Sequence, residues 1–140
     1  MMRRGLTAIE MVVVLSVIAL LIGIVVPTFG RLRDGIAVRN ATAEAMSAFA
    51  VARQSAIVRG ARAGLGIDRP PGHVTVTVGG EMLLRRDLEG TYGVTLSSTR
   101  DSTAYSPLGH GFGAANLSLV IARGRVAETI FVSREGRVRH

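Results

Sequence analysis

The chain has 140 residues, a formal net charge of +7 and no cysteine, which leaves room for one small domain beside any membrane segment and excludes disulfides and thiolate metal sites. All of its basic residues are arginine, and they are scattered along the whole chain, which points to compositional bias before it points to one polyanion-binding stripe. Aromatic residues make up 4% and tryptophan is absent, so the core is expected to be modest and aliphatic.

The dominant feature lies at the start. From Met11 to Gly30 there is no charged residue. At about 1.5 Å per residue such a helix reaches roughly 30 Å, the thickness of the hydrocarbon core of a bilayer. Glu10 stands at the edge of this run, where an ionisable side chain is costly and calls for a partner or a role. A secretory signal peptide would share the Arg3-Arg4 start and the apolar core, but Val26-Pro27-Thr28-Phe29-Gly30 offers no small-x-small cleavage site. Arginines flank the span on both sides (Arg3 and Arg4, then Arg31 and Arg33), so charge does not set its orientation.

Beyond Pro27 and the polar Arg31-Leu32-Arg33-Asp34-Gly35, Val38, Ala41, Ala45, Phe49, Ala52 and Ala56 recur at three- and four-residue spacing. That spacing lines them on one face of an amphipathic helix, with Asn40, Glu44, Ser47 and Gln54 opposite. The spacing predicts one long helix from about Thr7 to Arg59, loosened around Gly23 and Pro27. Gly60, Gly64-Leu65-Gly66 and Arg69-Pro70-Pro71-Gly72 end it.

The period then changes to two. His73 to Val78 alternates like a half-buried strand, Gly79-Gly80 is a hairpin turn, and Glu81 to Arg86 returns. Tyr92 to Ser97 reads as a strand, Ser98 to Ala115 as a long polar loop, and Asn116 to Ala122 and Val126 to Ser133 as a last hairpin turned at Arg123-Gly124-Arg125. Strands at such short intervals leave no room for crossover helices. The fold class expected is therefore α+β, with a long N-terminal helix, half transmembrane and half amphipathic, packed against an antiparallel β-sheet head.

Gly5-Leu6-Thr7-Ala8-Ile9-Glu10, followed by Met11 to Leu15 and later Pro27, resembles the class III signal of type IV pilins and type II secretion pseudopilins. That family usually has Phe where this chain has Leu6. The resemblance implies cleavage by a membrane peptidase after Gly5, methylation of the new N-terminus at Leu6, and a mature chain in which Glu10 is the fifth residue. Loss of Arg3 and Arg4 would lower the net charge from +7 to +5. Ala52 to Gly60 is similar to the end of the spine helix in the GspH and FimT group of minor pseudopilins and minor pilins. Val126 to Ser133, with Gly136-Arg137-Val138-Arg139, is similar to that group's closing strand and Gly-Arg-x-Arg ending.

The resemblance implies a leader over 1–5, a transmembrane and polymerisation helix over 6–30, an amphipathic spine helix over 31–60 and a periplasmic β-rich head over 61–140. It also implies a single-pass inner-membrane protein with its head in the periplasm. The expected partners are other pseudopilins or pilins, the prepilin peptidase, the inner-membrane assembly platform and the membrane itself. The leading expectation is a minor pseudopilin of a type II secretion pseudopilus. The alternative is a FimT-like minor pilin that assists pilus assembly or binds DNA during uptake.

Two sets of residues carry these expectations. Ionised Glu10 is expected to pair with the Leu6 amine of an adjacent subunit, because an unpaired charge in low dielectric is heavily penalised. Arg137 and Arg139 flank Val138 in a strand-like tail and share a face, forming a candidate phosphate-contacting pair with Arg134, Arg123 and Arg125 nearby in sequence. Glu128 and Glu135 compete for them. Catalysis finds little support. His73, His110 and His140 are far apart with no ligand spacing, Gly109-His110-Gly111-Phe112-Gly113 lacks a P-loop lysine, and Ser106, His110 and Asp101 are ordinary loop residues. No enzymatic role and no cofactor are expected.

Overall fold

The computed structural model describes residues 7–112 and 116–140 and divides the chain into two units, one ending at Arg33 and one running from Asp34 to His140. The expected leader, Met1 to Gly5, and Leu6 lie outside the described residues.

Helix α1, Ala8–Arg59, runs through both units without a break at Gly23 or Pro27. In the first unit its side chains from Thr7 to Val25 are all exposed, apolar ones included. Ser16 and Thr28 turn their hydroxyls back onto the helix, Ser16 Oγ donating to the Val12 carbonyl at 2.7 Å and Thr28 Oγ1 to that of Ile24 at 3.0 Å. Neither therefore presents an unpaired donor to an apolar surrounding. The helix is long and apolar enough to cross a membrane.

In the second unit α1 is the spine. Val38, Ala41, Ala45, Phe49, Ala52 and Ala56 are all fully buried, as their spacing predicts, and Ala48 joins them. Glu44 departs from the expectation. It is half-buried rather than solvent-facing, because two partners from the head reach it. The helix ends where Gly60 adopts the left-handed conformation, φ 57°, which glycine takes without strain.

Two antiparallel sheets complete the unit. The first holds β1 (Ala63–Asp68), β2 (His73–Val78), β3 (Glu81–Asp87), β5 (Ser102–Tyr105) and β6 (Gly111–Phe112) in the order β3-β2-β1-β5-β6. The second holds β4 (Thr95–Ser98), β7 (Leu117–Arg123), β8 (Val126–Val132) and β9 (Val138–Arg139) in the order β4-β7-β8-β9. Their inward positions, among them Leu65, Ile67, Val74, Val76, Leu119, Ile121 and Ile130, form one core with the alanine face of α1. The chain is thus α+β, a long N-terminal helix packed against antiparallel sheets.

Three local readings are corrected. The Gly64-Leu65-Gly66 stretch belongs to a central strand, β1, rather than to the helix terminator. Tyr92 ends a five-residue helix, α2 (Leu88–Tyr92), instead of opening a strand. Asp87 caps it by accepting from the Gly90 N–H at 2.7 Å, and Gly93 closes it in the left-handed region. The stretch from Ser98 to Ala115 is not one long loop, since β5 and β6 lie within it. The tail after Ser133, read as strand-like, does pair beside β8 as β9.

Candidate functional site

The expected assembly residue, Glu10, sits in the first turn of α1. Its Oε2 accepts from the Thr7 N–H at 3.1 Å and from Thr7 Oγ1 at 3.2 Å, while Thr7 Oγ1 accepts from the Glu10 N–H at 3.3 Å. This is a reciprocal capping box, in which the residue before the helix and the third residue within it satisfy each other's free donors. A negative charge there also complements the positive end of the helix dipole. Thr-x-x-Glu is a helix-start signal that the sequence reading passed over, and the box explains how a carboxylate is held at the edge of an apolar rod. Gly5 and Leu6, the expected cleavage and methylation positions, lie outside the described residues.

Both tail arginines, Arg137 and Arg139, are solvent-exposed at the edge of the second sheet, and Arg139 lies opposite the exposed Phe131 of β8. Arg137 Nε is 3.3 Å from Glu135 Oε2 in a fully solvated pair, an interaction of small worth. His140 Nε2 is 3.3 Å from Glu128 Oε2 without a hydrogen-bonding angle, so the contact is electrostatic and depends on histidine protonation. The glycine of the tail motif has a structural cause. Gly136 has φ 81°, and a Cβ there would stand 2.8 Å from Tyr105 Cε1 and 2.9 Å from the Gly111 nitrogen.

The neighbouring arginines do not join that pair. Arg123 Nε contacts Asp34 Oδ1 at 3.0 Å, and its guanidinium also donates to the Tyr92 carbonyl, so it ties the β7–β8 hairpin to the start of the spine. Arg134 lines a groove on the outer face of the first sheet. Arg125 is exposed at the hairpin tip.

The second unit also holds a polar network that the sequence did not reveal. Tyr92 donates its hydroxyl to Glu44 Oε2 at 2.7 Å, and Arg86 Nε lies 3.1 Å from Glu44 Oε1. The bond to Glu44, aided by burial and by the negative charge, raises the Tyr92 pKa above the ordinary 10.0. Its members are separated by some 48 residues of chain, and no local pattern joins them.

The residues considered for catalysis are dispersed. Asp101 pairs with Arg69. Ser106 Oγ accepts from the backbone N–H of His110 at 3.3 Å, closing the β5–β6 turn. His73 lies between Arg85 and Asp87. Among the described residues no three histidines or carboxylates gather as a metal-binding group.

Two crystal structures of the type IV minor pilin FimU from Pseudomonas aeruginosa share this architecture. One superposes with a TM-score of 0.62 at 12% identity over 73% of this chain and 86% of that one. The other gives 0.59 at 12% identity over 72% and 90%. No family profile matches the chain, and no curated protein matches it. The class defined is the type IV pilin-like fold. At this identity the likeness is one of fold.

Proposed function

We infer that the chain is a structural subunit of a filament of the type IV pilin class, a minor component rather than an enzyme. The observation that carries the reading is the union of an exposed apolar helix, headed by Thr7 and Glu10, with a head of pilin-like fold. In this reading the precursor is cut after Gly5 and methylated on Leu6. Subunits then pack their apolar helices side by side, with Glu10 exchanging its contact with Thr7 for the amine of a neighbour's Leu6. The secretion pseudopilus remains the leading assembly, supported by the GspH-like helix end and closing strand. The surface pilus is the second reading, supported by the likeness in fold to the minor pilin FimU.

Mass spectrometry of native material should find the chain beginning at Leu6 with one added methyl group. An uncut N-terminus would overturn the reading. Replacement of Glu10 separates its two roles, since glutamine can still serve a capping box but carries no charge. Glu10→Gln should keep the helix inserted in the membrane and reduce incorporation into filaments. Normal incorporation would exclude pairing with the amine. For the second reading, duplex DNA should bind the full chain in a salt-sensitive manner that is lost in an Arg137→Ala, Arg139→Ala variant. Binding that survives both replacements would remove the tail from that role.

A further inference from the structure

The outer face of the first sheet, turned away from the core, carries a groove of about 710 Å³, within the roughly 300–1,000 Å³ range of ligand sites. Strand register builds its floor. One row across the sheet is Thr77, Gly64, Ala104 and Phe112; the next is Thr75, Gly66 and Ser102. The two glycines leave the central strand without side chains. The hydroxyls of β2 lean over them, so that a Cβ on Gly66 would meet Thr75 Oγ1 at 2.8 Å and one on Gly64 would meet Thr77 Oγ1 at 3.0 Å. The floor is therefore flat backbone bordered by hydroxyls on rigid strands.

Three arginines from three separate segments line this groove: Arg62 before β1, Arg100 between β4 and β5, and Arg134 after β8. None has a carboxylate partner among the described residues, and no carboxylate lines the groove. Arg62 is held in place, its guanidinium carbon 4.2 Å from the centroid of the Phe112 ring. A positively charged trough with hydroxyls along its bed complements a ligand that is both anionic and rich in hydroxyls.

We propose that this groove binds a stretch of acidic polysaccharide. Sugar rings lie on the Gly64 and Gly66 backbone, their hydroxyls exchange hydrogen bonds with Thr75, Thr77 and Ser102, and their carboxylates meet Arg62, Arg100 and Arg134. Nucleic acid fits less well. A single strand calls for several aromatic platforms, whereas Phe112 is the single aromatic side chain lining the groove and Arg62 covers one of its faces. The proposal does not rest on filament assembly and places the ligand on a surface separate from the Arg137 and Arg139 pair.

The test titrates the full chain in detergent, by calorimetry, with a short oligogalacturonate, a neutral oligogalactose of equal length and a single-stranded oligonucleotide. The oligogalacturonate should bind and weaken as salt is raised, and the neutral sugar should bind far less. Arg100→Ala and Arg134→Ala should each lower affinity about tenfold. Both side chains are exposed and lack carboxylate partners, so neither replacement threatens the fold. The Arg137→Ala, Arg139→Ala variant should bind the oligogalacturonate normally. Absence of uronate binding, equal binding of the neutral sugar, unchanged binding in the groove variants or loss of binding in the tail variant would each overturn the proposal. Tighter oligonucleotide binding abolished by Arg100→Ala would reassign the groove to nucleic acid.

Discussion

Tyr92 shows how one hydroxyl links the spine to the head. Because it donates to Glu44, the protonated phenol is favoured in the folded protein and its pKa is raised. A raised pKa gives stability that is fully present below pH 10.0, the ordinary tyrosine value, and is lost as pH climbs past it. Tyr105, whose pKa burial raises despite the opposing charge of Arg53, adds loss in the same direction. Tyr92→Phe should cost about 1 kcal/mol at neutral pH, the usual worth of one partly exposed hydrogen bond. It should also flatten the alkaline decline in thermal stability without abolishing it, since Tyr105 remains. Melting temperatures of both proteins from neutral to strongly alkaline pH provide the check. An identical decline in the two would remove Tyr92 from it.

At the scale of elements, legibility depended on whether side chains expose the period. The face from Val38 to Ala56 was readable because six apolar positions on it follow helical spacing, and β2–β3 because valines alternate with threonines before Gly79-Gly80. Strand β1 was hidden by its own outward positions, Gly64 and Gly66, which carry no polar side chain to alternate with Leu65 and Ile67. Strands β5 and β6, four and two residues long, are too short for any period to emerge from a polar stretch. Of the candidate sites, the contact between Thr7 and Glu10 is local, within one helical turn, so its spacing lies open in the sequence although the sequence reading did not use it. The groove was not legible, because it exists only once the register of four strands has been set. Gly136 tests how tightly the tail fits. Gly136→Ala places a methyl group against Tyr105 and forces a left-handed backbone, and should lower unfolding free energy by about 2 kcal/mol. A melt unchanged within a degree or two would show that the tail gives way instead.

At the scale of the molecule, the two units have opposite relations to their surroundings. The first displays apolar side chains outward along its described length; the second buries its own between a spine and two sheets. Every residue of the head core lies after Asp34, and the Asp34–Arg123 pair that closes the β7–β8 hairpin onto the spine falls within the same unit. A chain beginning at Asp34 should therefore be soluble without detergent and melt in one cooperative transition near the temperature of the full protein's head. A broad transition would mean that the core needs the preceding helix.

The close fit of Gly111 against the 134–136 backbone joins the two sheets through residues that come long after the apolar helix in the chain. A ribosome releases that helix before this clasp, so under the function proposed above the helix can enter a bilayer while the head is still open. A copy truncated after Ser133 should then arrive with Tyr105 uncovered, and faster proteolysis than that of the full chain is the expected sign.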